Sequence, residues 1–141
     1  MTPRSNLVLP LLVFLGSCGE WTPVGGAPSP DGRVAASVEV RLRGASSSNL
    51  TRISLQNRKH GRLLEPGEVL TADGAIVDRT TLKWASADHL IVTLCEATSY
   101  TLRSRIWRDP LIRQDGSENA VWIDVSNLEY SEREKDCLPR R

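Results

Sequence analysis

Two histidines, His60 and His89, are the side chains in this sequence best suited to acid–base chemistry. His89 follows Asp88, and a hydrolase uses a carboxylate beside an imidazole to orient its general base. Neither histidine belongs to a metal-ligand spacing such as His-x-x-x-His, and the serines at 46–48 lack the Gly-x-Ser-x-Gly elbow. We therefore interpret both histidines as surface turn residues, and we predict no catalytic residue, no metal site and no cofactor.

Three tryptophans, Trp84, Trp107 and Trp122, lie in or beside segments that alternate like strands. Indole rings gathered on one surface could line a groove for a small ligand. Packing in or beside the core is the favoured interpretation, because each ring sits within a strand pattern. A ligand groove between the three rings is kept as an alternative.

The three cysteines have different surroundings. Cys18 ends an apolar run and follows two small residues, and a thiolate is a strong nucleophile that can be modified there. Cys95 and Cys137 remain as an even pair, which is a disulfide candidate in an oxidising compartment. The alternative is a buried free thiol at Cys95 and a loose Cys137 on the C-terminal tail.

Residues 1–17 have the three parts of a secretory signal: the basic Arg4, an apolar centre over 7–15, and small residues at its end. The apolar run is shorter than the roughly 18 residues needed to cross a bilayer. Pro10 weakens it further as a helix, because proline lacks an N–H donor. We interpret residues 1–17 as a signal peptide.

Leu15-Gly16-Ser17-Cys18 resembles the end of the bacterial lipoprotein signal peptide, a leucine and two small residues before a cysteine. Gly16 is a mild departure, since other small residues are commoner there. The resemblance implies cleavage before Cys18, a diacylglyceryl thioether on its sulfur and a further acyl chain on the new amino terminus. Gly19, where an aspartate would favour inner-membrane retention, points to the outer membrane. An ordinary secretory signal is the alternative.

The composition limits the class of partner. The formal net charge of +1 becomes zero if residues 1–17 are removed, because Arg4 is the only charged side chain among them. A neutral domain has no overall field to attract nucleic acid. Nucleic acid is therefore not an expected partner. The lipoprotein resemblance instead implies a lipid bilayer, reached through acylated Cys18, and we expect an envelope protein or ligand of unknown identity.

The chain divides into a lipidated Gly/Pro-rich tether at 18–28, a β domain at 29–130 and a charged C-terminal tail at 131–141 with one helical turn. Trp21 in the tether either rests among lipid head groups or is a plain tether residue. The domain opens with a Ser29-Pro30-Asp31-Gly32 turn.

Period-2 alternation and turn residues predict an all-β fold. We expect a small antiparallel sandwich or partly open barrel of about six to eight short strands. The predicted strands are at 36–42, 50–56, 81–84, 90–95, 100–106 and 121–125, with a small hairpin over 69–77 around Asp73-Gly74. The order of these features loosely resembles small uncharacterised β-rich envelope lipoproteins, a resemblance that implies no particular activity.

These observations predict a lipid-anchored lipoprotein of the cell membrane or outer membrane whose domain faces the periplasm and binds or scaffolds a partner. Two alternatives remain open. One is an envelope hydrolase that uses His89 and Asp88, and the other is a small-ligand carrier.

Overall fold

The computed structural model describes residues 19–44, 48–57, 67–108 and 120–140. These residues form ten strands and one short 3₁₀ helix. The strands are Thr22–Pro28 (β1), Val34–Arg41 (β2), Leu50–Asn57 (β3), Gly67–Asp73 (β4), Thr81–Ser86 (β5), His89–Cys95 (β6), Ser99–Leu102 (β7), Ile106–Arg108 (β8), Ala120–Ser131 (β9) and Asp136–Leu138 (β10), and the 3₁₀ helix is Val77–Arg79.

Two five-stranded sheets pack face to face without closing into a barrel. Sheet A has the order β1-β2-β3-β4-β7, and sheet B has the order β10-β9-β6-β5, with β8 also paired to β9. The predicted all-β class and sandwich-like arrangement are confirmed. No helix in the described ranges is long and apolar enough to cross a membrane.

The core lies between the sheets and follows from the alternation of side chains along each strand. In β2 every second residue from Val34 to Val40 is buried, as the pattern predicted. Leu42, expected on the same face, lies beyond the end of β2 and is 61% exposed. The largest fully buried apolar side chains come from both sheets: Ile53, Leu55, Leu70, Leu90, Val92, Leu94, Val121 and Ile123.

Part of the predicted tether is a strand. Residues 22–28 form β1, which pairs with β2 along its length, with a bulge between Pro23 and Gly25. Almost every side chain of β1 is exposed, so backbone hydrogen bonds hold the strand rather than apolar burial. Pro23 and Pro28 are tolerated because β1 is an edge strand, where proline need not donate to a neighbour.

Sheet B also departs from the prediction. β6 and β9 are parallel, from His89 opposite Trp122 to Cys95 opposite Leu128, so the sandwich is not wholly antiparallel. The described ranges hold ten strands rather than six to eight, partly because the predicted strand at 100–106 is two strands in different sheets. β7 ends sheet A, and β8 joins sheet B.

The Asp73-Gly74 step does not make the predicted hairpin. β4 ends at Asp73, and Gly74 adopts a positive φ of 75° as the chain leaves sheet A and crosses to β5 of sheet B. A β-carbon on Gly74 would lie 2.8 Å from Oγ1 of Thr98, so the crossing needs both the conformation and the space that glycine provides.

The C-terminal tail is part of the domain. Residues 132–135 form a turn, and β10 returns along β9, with Asp136 opposite Ser131 and Leu138 opposite Glu129. The predicted helical turn is absent because the chain reverses there as a hairpin. A disulfide joins Cys95 at the end of β6 to Cys137 in β10, with α-carbons 6.0 Å apart.

Candidate binding face

The outer face of sheet B carries a row of three side chains from three adjacent strands. His89 of β6 lies opposite Trp122 of β9, and Trp122 lies opposite Ile106 of β8. Their neighbours Leu90, Val121 and Ile123 are buried in the core, so the alternation directs His89, Trp122 and Ile106 away from sheet A. We call these three residues the Trp122 row.

Trp122 is the most exposed tryptophan among the described residues, with 55% of its surface accessible. Its backbone is fixed, because its N–H donates to the carbonyl of Asp88 at 2.7 Å. An indole held on the outer face of a sheet with its ring in water presents an apolar surface and one N–H donor. We take this ring as the centre of the candidate binding face.

A histidine–carboxylate pair adjoins the ring. Nε2 of His89 lies 2.6 Å from Oδ2 of Asp124, a diagonal neighbour on β9. The side chains are 35% and 63% exposed, so solvent reaches both. Among the described residues His89 has no other side-chain partner, which leaves its second ring nitrogen available to a ligand.

The hydrolase arrangement of His89 with Asp88 is not formed. The carboxylate of Asp88 accepts from the hydroxyl of Ser86 at 2.6 Å, and Asp124 is the residue that contacts the imidazole. Within the described ranges no hydroxyl or thiol is hydrogen bonded to His89. In the same ranges, no group of three His, Cys, Asp or Glu side chains is placed to hold a metal ion.

Trp84 and Trp107 lie on the opposite face from Trp122 and close the sandwich at two places. Nε1 of Trp84 donates to the carbonyl of Ala27 in β1 at 2.9 Å. The ring of Trp107 packs on Gly67 of β4, where a β-carbon would lie 2.7 Å from Nε1. The three tryptophans therefore do not line one groove, because alternation along β9 puts Trp122 outside while the other two rings pack against the core.

The outer face of sheet A carries a network of charges that pair with each other. Nε of Arg52 lies 2.8 Å from Glu39, and Nε of Arg103 lies 3.1 Å from Glu68. The hydroxyl of Thr71 also donates to Glu68 at 2.9 Å. These acids and bases balance, and Arg52 and its partner are mostly covered. The charges of this network are therefore matched within the protein itself.

Two predicted residues, Cys18 and His60, lie outside the described residues, as does the proposed signal peptide at 1–17. Comparison with protein-family profiles, curated proteins and solved structures finds no match for this chain. Because no related protein is found, a functional assignment rests on the geometry of the Trp122 row and Asp124.

Proposed function

We propose that this chain is a lipid-anchored protein of the bacterial cell envelope that binds a ligand through the outer face of sheet B. The anchor is Cys18, and the support for it is the Leu15-Gly16-Ser17-Cys18 pattern after a short apolar run. Two or more acyl chains give a stable membrane attachment, since each buried methylene contributes about 0.8 kcal/mol.

The observation that carries the binding role is an exposed Trp122 ring beside the His89–Asp124 pair. An apolar ring next to a carboxylate and an imidazole complements a ligand that has an apolar face and hydroxyl groups at its edge. A pyranose ring has this character, so a saccharide of the envelope is the ligand class that we propose. The role is binding rather than catalysis.

The anchor is tested by the intact mass of the full chain recovered from bacterial membranes. A start at Cys18 with added acyl mass is expected, and Cys18→Ala is expected to lack that mass and leave the membrane fraction. An unacylated chain, or one that begins elsewhere, would overturn the lipid anchor.

The binding face is tested by titrating soluble peptidoglycan fragments and purified envelope polysaccharide against the full chain while tryptophan emission is recorded. We expect Trp122→Ala to weaken binding at least tenfold, a loss of about 1.4 kcal/mol. Tyr100→Ala is the matched control, because Tyr100 is 43% exposed but lies on sheet A. Equal losses for both variants, or no saccharide binding by the wild type, would overturn the assignment.

A further inference from the structure

The folded domain starts at the very beginning of the mature chain proposed above. The guanidinium carbon of Arg52 lies 4.4 Å from the ring centroid of Trp21, a cation–π contact. β1 begins at the next residue, Thr22. Gly19 rests beside another arginine, since a β-carbon built on it would lie 3.5 Å from Nη2 of Arg41. The segment that follows Cys18 is thus docked on sheet A and is not a free tether.

The docked start limits how far the domain can stand from its anchor. Three residues, Gly19 to Trp21, precede β1, and even fully extended they span about 10 Å. The antiparallel pairings place the start of β1 beside the end of β2 and the end of β4, at Thr22, Arg41 and Asp73. We call the end of sheet A where these strand termini lie the anchor end.

The anchor end exposes side chains that suit a lipid surface. Leu42 is 61% exposed, and among the described residues Arg41 has no acidic partner. Arg43 pairs with Asp73 at 3.2 Å, but both side chains are partly open to solvent, so the pair is weak and can exchange. A guanidinium binds a phosphate with two parallel hydrogen bonds.

The net charge of this end is small. The β9–β10 turn at the same end contributes two acids and two bases, at residues 132–135. Electrostatic attraction alone would therefore bind a bilayer weakly, and the contact depends on the acyl chains to bring the surfaces together.

We propose that the anchor end rests on the bilayer, with Arg41 on lipid phosphate groups and Leu42 in the interfacial layer. This proposal rests on the lipid anchor at Cys18. It also fixes the orientation of the domain. Trp84 and Trp107 join the sheets at the other end of the strands, through Ala27 and Gly67, and the Trp122 row lies there.

The length of β6 sets the separation, because Cys95 at its end lies near Asp73 of the anchor end, and His89 at its start is opposite Trp122. From Cys95 to His89 the strand takes six steps, and at about 3.3 Å a step this places the Trp122 row about 20 Å from the bilayer end. The binding face is thus directed away from the lipid, toward ligands in the surrounding space.

The test uses the acylated full chain in vesicles of equimolar phosphatidylglycerol and phosphatidylcholine that carry a nitroxide on the lipid head group. An environment-sensitive dye is attached to Leu42→Cys, and the matched control carries it at Arg105→Cys, an exposed residue beside the Trp122 row. Acylation and the disulfide occupy the natural thiols. We expect quenching at position 42 to exceed that at position 105 several-fold.

Equal quenching at the two positions, or stronger quenching at 105, would overturn the orientation. A second variant tests the docked start: Trp21→Ala in the Leu42→Cys background should reduce quenching, because it frees the segment after the anchor. Unchanged quenching would overturn the role of Trp21. Intact mass separates the two proposals, since an acylated protein with no quenching at 42 refutes only the orientation, whereas an unacylated protein refutes the anchor and this proposal together.

Discussion

The side-chain amide of Asn127 is hydrogen bonded to both backbone groups of Ala97. Oδ1 accepts from the Ala97 N–H at 3.1 Å, and Nδ2 donates to the Ala97 carbonyl at 2.8 Å. Ala97 is 3% exposed and follows the end of β6, where no strand of the described residues continues the pairing. Asn127 thus supplies the hydrogen bonds that a neighbouring strand would have made.

We expect Asn127→Ala to destabilise the domain by about 2–3 kcal/mol, because a buried donor and a buried acceptor lose their partner together. Urea unfolding followed by tryptophan emission measures the change. Ser126→Ala is the control, since Ser126 is exposed on the same strand. A loss for Asn127→Ala no larger than that for the control would contradict this role.

The disulfide should contribute about 3–4 kcal/mol by restricting the unfolded chain, because it joins Cys95 and Cys137 across a sequence separation of 42. Cys137→Ser is expected to lower the free energy of unfolding by about this amount. Reductant should lower the stability of the wild type in the same way and leave the variant unchanged. If reductant lowers the free energy of unfolding of both proteins equally, the disulfide is not the cause of the loss.

Gly67→Ala should destabilise the domain by about 1–3 kcal/mol, the usual range for forcing an extra carbon into a packed site. The new methyl would meet the Trp107 ring, with Nε1 at 2.7 Å, and the carbonyl of Leu55 at 3.5 Å. Gly25→Ala is the matched control, since no atom lies within 4 Å of its added carbon. Thermal unfolding of the two variants measures the difference, and similar transition temperatures would show that Trp107 does not pack there.

Asp31 makes the turn before β2 sensitive to acid. Hydrogen bonds lower the pKa of its carboxyl from 3.8 to about 2, first that from the Ser29 hydroxyl and then those from the Arg33 backbone and side chain. A carboxyl with a lowered pKa stabilises the fold above its unfolded value, and this contribution is lost as the pH falls through the folded value. Stability should therefore decrease between pH 3.8 and about 2.

Asp31→Asn should remove this part of the pH dependence, and Ser29→Ala should raise the pKa of Asp31 toward its ordinary value. Carbon NMR of the carboxyl group and unfolding midpoints across the acid range check both expectations. Parallel pH profiles for the wild type and Asp31→Asn would count against the turn as the source.

The parts of the fold that the sequence predicted are those with a local cause. The apolar alternation from Ala36 to Leu42 predicts β2, and the structure buries every second residue from Val34 to Val40. The predicted turn at Ser29-Pro30-Asp31-Gly32 forms, with the Gly32 N–H donating to the Ser29 carbonyl at 2.9 Å. β1 was missed because its stability comes from backbone pairing with β2, which leaves no apolar pattern. The parallel pairing of β6 with β9 was missed because register between distant strands is not encoded locally.

The candidate site also combines a feature that the sequence predicts locally with a contact that depends on long-range pairing. The outward direction of Trp122 was readable from the alternation of Val121 and Ile123, which the strand prediction already contained. Asp124 could not be assigned as the partner of His89, since that contact depends on the long-range register of β6 and β9. Adjacency in the sequence favours Asp88 as the partner of His89, but the structure pairs Asp88 with Ser86.

The parallel pairing at the centre of sheet B has a consequence for when the protein can fold. β6 acquires its second neighbour only from β9, near the end of the chain, so the core strand Leu90–Leu94 stays uncovered on one side until residues 120–131 are available. Contacts between residues far apart in sequence form slowly. The order of synthesis and this topology together keep the core strand exposed until β9 has been made, a property that suits the export proposed for this chain.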